Sequence, residues 1–149
     1  MLTNKGKYGL KAMVFLAGLR PGEIAQVADI ADANGIPKKF LDQIFSELRK
    51  AGFVHSKKGK AGGYALAKPA HSISAGQIIR ILDGPIAPIQ CSSVTAYRRC
   101  DDCTDETLCP VRCLMTQARH ALSAVVDTCS LAEMRLLGDP AERSLTYHI

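Results

Sequence analysis

Residues 36–66, IPKKFLDQIFSELRKAGFVHSKKGKAGGYAL, decide the fold. Pro37 suits the first turn of a helix, where its missing N–H costs little and its fixed φ already fits. Behind it Phe40, Leu41, Ile44, Phe45 and Leu48 recur at spacings of three and four, the mark of one buried helical face. Gly52 supplies the stop. The opposite face carries Lys39, Asp42, Gln43, Ser46, Arg49 and Lys50. Beyond the stop, 53–57 and 64–67 read as two short strands joined by the basic, glycine-rich turn 58–63. A helix followed by a hairpin with a basic turn is a recognition helix and its wing. The stretch predicts a DNA-binding winged helix-turn-helix.

Charge supports that reading. Residues 38–68 hold eight basic side chains against two acidic ones, a net of +6, while the whole chain is only +5. A basic excess confined to one element and its turn is the footprint of a phosphate-binding surface. Within it, Asp42 and Gln43 are the candidates for base edges, since Gln pairs with adenine and a carboxylate can accept from cytosine, with Ser46 assisting. Lys38, Lys39, Lys57, Lys58 and Lys60 are the candidates for phosphate, setting register without reading sequence. Arg49 and Lys50 fall between groove and backbone, and Tyr64 reads as packing for the wing.

Upstream, 7–19 predicts a first helix ended by Pro21-Gly22, and 26–34 a short second helix with Val27, Ile30 and Ala31 inward. The Gly35-Ile36-Pro37 corner then leads into the recognition helix, the helix-turn-helix arrangement. Downstream, Ser74-Ala75-Gly76-Gln77 is a capping box, so 75–82 should be helical and stopped at Asp83-Gly84-Pro85. From 85 to 109 almost no periodicity remains, and a connection of that length inside a compact domain is usually functional or disordered. Pro110 opens the longest helix, 110–127, with Leu114, Ala118, Ala121, Leu122 and Val125 on one face. A second capping box, Ser130 to Glu133, starts a short helix ending at Leu137.

The expected organisation is therefore a winged helix-turn-helix over 1–83, a cysteine-rich loop over 84–109, a dimerisation helix and short helix over 110–137, and a mobile tail over 138–149. The fold class is mainly α with a small β-hairpin. The long helix outreaches so small a winged domain, and its apolar stripe is expected to pair with a second chain, giving a homodimer on a palindromic DNA operator.

The totals narrow the function classes. A chain of 149 residues with 47% apolar composition builds one modest core. No run of 18 apolar residues and no leader-like start is present, so membrane insertion is not expected and a cytoplasmic protein is. The four histidines are scattered, and no nucleophile–base set or carboxylate pair points to an enzyme or to a small-molecule substrate.

Six cysteines in a reducing compartment suggest metal, cluster or redox chemistry rather than structural disulfides. Their spacing is Cys91-x8-Cys100-x2-Cys103-x5-Cys109-x3-Cys113, with Cys129 apart. Thiolates suit iron–sulfur clusters and zinc, and a zinc site would show two close pairs where this chain has one. Cys109 stands at the mouth of a helix, which favours a thiolate or an anionic cluster. Cys113, one turn further, either faces such a site or packs. Cys129 reads as a small buried hydrophobe. Spacing leaves cluster, zinc and metal-free thiol switch open.

The run KGKYGLKAM, the stretch 36–64 with its GGY wing, the downstream cysteines and the closing SLAEM together resemble the Rrf-two family of bacterial regulators, over about residues 2–137. That family includes iron–sulfur cluster, nitric-oxide-sensing and rhizobial iron regulators. The resemblance implies a homodimeric repressor or activator in which three loop cysteines hold a 2Fe–2S or 4Fe–4S cluster whose state sets DNA binding. By position these fall on Cys91, Cys103 and Cys109. The loop before Cys103 is longer than usual, and the extra Cys100 is open either to replace Cys103 or to complete a set of four. Some members carry a histidine where this chain has Arg112, others an acidic residue near Lys7 or Tyr8, so the fourth ligand is open. Two other readings stand beside this one: a regulator of the same fold switched by thiol oxidation, zinc or a partner protein, and an iron–sulfur electron-transfer protein.

Overall fold

The computed structural model describes residues 2–141. In chain order it contains α1 (Asn4–Ala17), α2 (Val27–Asn34), α3 (Lys38–Lys50), β1 (Val54–Lys57), β2 (Gly63–Leu66), α4 (Ala75–Asp83), α5 (Pro110–Thr128) and α6 (Leu131–Leu137). No helix among these residues is long and apolar enough to cross a membrane.

α1 begins three residues before the expected start. Thr3 caps it, its hydroxyl accepting from the Gly6 N–H at 3.3 Å while its own N–H donates to the Asp83 carboxylate at 2.9 Å. α2 ends at Gly35, which takes the left-handed conformation (φ 63°) that turns the chain toward α3. Pro37 sits at the N-cap rather than inside the first turn, with φ −60° and ψ 127°.

α3 buries Leu41, Ile44, Phe45 and Leu48 against α1, α2 and α4. Phe40 corrects the sequence reading: it is half exposed and meets Tyr8 edge-on at 6.0 Å between centroids. At about 100° per residue its direction lies roughly 90° from the centre of the four buried side chains, at the rim of the stripe. Strands β1 and β2 pair antiparallel in the register Val54–Leu66 to Lys57–Gly63. β1 starts one residue later than expected and ends where expected, and β2 is shifted back by one residue. Ala25 joins the hairpin as a third rung, exchanging backbone bonds of 3.0 and 2.8 Å with Tyr64. Gly63 is required there, because a Cβ would run into the Ala25 carbonyl.

The core lies between α1, α2, α3, α4 and the hairpin, centred on Met13, Ile30, Leu41, Phe45, Leu48 and Ile78. Full burial of each such side chain is worth about 1.5–3 kcal/mol before entropy. Both capping boxes are formed, Ser74 with Gln77 and Ser130 with Glu133. α5, by contrast, has no buried residue along its 19 positions. It is fastened at its C-terminal end, where Ala75 N–H donates to Cys129 O and Leu131 N–H to Ile73 O, each at 2.9 Å. Arg80 on α4 grips Asp127 on α5 through both guanidinium nitrogens. Residues 142–149 of the expected tail lie outside the described residues.

Candidate functional site

Two surfaces carry the polar chemistry that the core does not use. The first is the outer face of α3 with the turn between β1 and β2. Lys38, Lys39, Asp42, Gln43 and Arg49 are exposed on α3 and Ser46 is half-buried, while Lys57, Lys58 and Lys60 are exposed on the hairpin. Within the isolated chain Lys38 Nζ reaches Asp42 at 3.4 Å and Gln43 Nε2 donates to Glu47 at 3.4 Å. Both are loose, exposed contacts one turn apart, easily exchanged for a DNA partner. The hairpin turn is anchored by Gln26 Nε2, which donates to Lys60 O at 3.0 Å. Tyr64 stacks on Phe45 with centroids 4.5 Å apart, so its ring locks the hairpin to α3.

The second surface is the connection 84–109. It is more ordered than its lack of periodicity suggests. A 3-10 turn, Gln90–Ser92, buries Cys91, and Ser92 and Ser93 are buried beside it. Cys91, Cys100, Cys103 and Cys109 all line one cavity of about 430 Å³ at the N-terminal end of α5, together with Asp102 and Asp105. Cys109 is the N-cap of α5, its sulfur accepting from the Arg112 N–H at 3.5 Å. The neighbouring Cys91 thiol, then burial, pushes the Cys100 thiol up. Cys113 is exposed on α5 and does not line the cavity. Cys129 is half-buried at the far end of the helix, where burial raises its thiol.

Two arginines that spacing did not single out hold the cysteine loop together. Arg112 Nε donates to Cys91 O at 3.0 Å and its Nη1 to Glu106 O at 3.4 Å. Arg99 Nη2 donates to Cys103 O at 3.1 Å and Thr104 O at 3.4 Å, while its Nε lies 3.6 Å from the Glu106 carboxylate. The neighbouring Glu106 carboxylate raises the Tyr97 hydroxyl above its usual range. Only the nearness of arginine to cysteine in the sequence hinted at this.

The donors are chemically right for an iron–sulfur cluster. The helix N-terminus and the arginine-bound carbonyls give an anionic group a favourable potential. Among the described residues, no three His, Cys, Asp or Glu side chains converge closely enough for a single metal ion. A cluster takes its ligands on irons that stand apart, so an open cavity with four thiols around it suits a cluster better than one zinc.

The fold has close counterparts. Residues 2–135 match the family model Rrf2, described as an iron-dependent transcriptional regulator. The chain belongs to the Rrf2 family. It is 40% identical over 97% of its length, and 99% of the other chain, to an rrf2-like HTH-type transcriptional regulator of Rhodobacter capsulatus. The solved structure of CymR, the global cysteine regulator of B. subtilis, superposes with a TM-score of 0.77 at 32% identity, over 93% of this chain and 98% of that one. IscR of T. potens superposes with a TM-score of 0.73 at 28% identity, over 95% and 90%. This Rrf2 chain is thus a winged-helix, DNA-binding transcriptional regulator and not an enzyme.

Proposed function

We propose that this Rrf2-family regulator binds a palindromic operator as a homodimer, and that an iron–sulfur cluster held by Cys91, Cys103 and Cys109 controls that binding. The observation carrying the reading is the convergence of the loop cysteines on one cavity at the start of α5, the helix left without a buried residue. The loop runs directly from α4, packed on the recognition helix, to α5. A change in loop order at the cavity therefore acts on the angle between reading head and dimer helix. The cluster, when bound, would supply the sensitivity to iron, oxidant or nitric oxide. The chain supplies the thiolates, the helix N-terminus and the arginine clamps.

On DNA, Gln43, Asp42 and Ser46 take base edges, and Lys38, Lys39, Lys57, Lys58 and Lys60 take phosphates, with Arg49 at the groove edge. The test is the visible spectrum, iron and sulfide content and operator affinity of anaerobically prepared protein against the combined Cys91→Ala, Cys103→Ala, Cys109→Ala variant. A coloured wild type that differs from the colourless variant in operator affinity is expected. Equal affinities and equal sequence preference reject cluster control.

A second reading is favoured by Cys91 and Cys100 lining the same cavity as free thiols. Peroxide would take two electrons and two protons from these thiols, forming a disulfide and water. Operator affinity that changes with peroxide, reverses with dithiol and is indifferent to iron would select it.

A further inference from the structure

Three thiols leave a cluster one ligand short, and the positions around the cavity differ in their freedom to supply it. Arg112 is committed to the carbonyls of Cys91 and Glu106, and a guanidinium is never a ligand. Lys7 and Tyr8 offer no carboxylate, and Tyr8 is packed against Phe40. Asp105 is occupied by the Thr107 N–H at 2.8 Å and the Thr107 hydroxyl at 2.6 Å. Cys113 lies outside the cavity. Cys100 and Asp102 remain. Cys100 lines the cavity together with buried Cys91 and is joined to Cys103 by a tight turn, Cys103 N–H to Cys100 O at 3.2 Å. Its thiol is free and exposed.

Resting on the cluster reading above, we propose that Cys100 is the fourth ligand, so that Cys91, Cys100, Cys103 and Cys109 close an all-thiolate site from within one loop. The Cys100–Cys103 turn would offer two of these thiolates from one short segment, with Cys91 before it and Cys109 after it in the same connection. Because every ligand then belongs to a single segment, the site assembles without a residue from α1 or from a second chain. A fourth thiolate also adds negative charge, which lowers the reduction potential relative to a site closed by a neutral ligand.

The experiment compares wild type, Cys100→Ser, Cys103→Ser and Asp102→Asn, all reconstituted anaerobically with iron and sulfide. The readouts are iron and sulfide per chain, the electron paramagnetic resonance of the reduced cluster, its reduction potential and the rate of bleaching by a chelator. Cys100→Ser, changed at an exposed loop position, is expected to keep the wild-type far-ultraviolet circular dichroism. It should shift both the resonance and the potential, bleach about tenfold faster, and regain the wild-type spectrum with added 2-mercaptoethanol. Asp102→Asn should match wild type. If Cys100→Ser matches wild type in resonance, potential and bleaching while Cys103→Ser loses the cluster, the fourth-ligand assignment falls and the cluster reading stands. If Asp102→Asn alone produces the shift, the assignment passes to Asp102. If wild type itself takes up no iron and sulfide, both fall together.

Discussion

Asp127 holds α5 to α4 through a two-point contact with Arg80, one arm of which spans 2.9 Å. The guanidinium hydrogen bonds hold the Asp127 carboxyl below the usual carboxylate range. A folded-state pKa that is depressed stabilises the protein above the unfolded value of about 3.9, and the contribution is lost as pH falls through the folded value. Both side chains are about 40% exposed, so solvent screening limits the effect to about 1 kcal/mol or less. Asp127→Asn should therefore melt slightly below wild type at pH 7, with the gap closing between about pH 5 and pH 2. Calorimetry across that range checks it, and a gap that widens in acid would contradict the assignment. Nothing in the sequence could join two residues 47 positions apart. The Ser74–Gln77 and Ser130–Glu133 boxes were legible because each closes within one turn.

At the scale of elements, α3 and the β1–β2 hairpin were readable because period and punctuation coincide: apolar spacing inside, Gly35 and Gly52 at the ends, basic glycines in the turn. The misreadings sit where periodicity has no authority. Phe40 passes the spacing test yet lies at the stripe's edge, and α1 starts early because a threonine cap is a local signal that the apolar pattern does not carry. The cysteine loop hid more, since its order comes from Arg99 and Arg112 bonding to carbonyls, which leaves no periodic trace. For the reading head, replacing Lys58 and Lys60 with Ala should flatten the salt dependence of operator binding, each lost phosphate contact reducing the log–log slope by about 0.9. Gln43→Ala should instead cost about 1–3 kcal/mol on operator DNA and little on random DNA. Titration on both duplexes at several salt concentrations separates the two roles, and identical losses on both duplexes for Gln43→Ala would remove it from base reading.

For the molecule as a whole, the unburied face of α5 is the feature that the single chain does not explain. Its 19 residues run about 28 Å. Val111, Leu114, Leu122 and Val125 are all exposed, and Leu136 and Leu137 extend the patch onto α6. Beside them lies an apolar cavity of about 340 Å³ floored by Leu10, Ile79 and Ile86 and walled by Val126 and Met134. These exposed apolar side chains are the surface through which the proposed homodimer would pair. Dimeric helix-turn-helix readers bind half-sites about 34 Å apart, the spacing of successive major grooves on one face of DNA, and the homodimer proposed above would meet that requirement through α5. Placing charge in that face should separate assembly from folding: Leu122→Glu with Val125→Glu removes no buried core contact within one chain. We expect the variant to keep its thermal transition while weakening self-association about a hundredfold, ~2.7 kcal/mol. Loss of operator affinity should follow, because one half-site supplies only part of the contact. Sedimentation equilibrium reads the first effect and titration on whole and half operators the second. A variant that stays dimeric would move the interface off α5, and a monomer that still binds whole operator at wild-type strength would end the two-fold account of recognition.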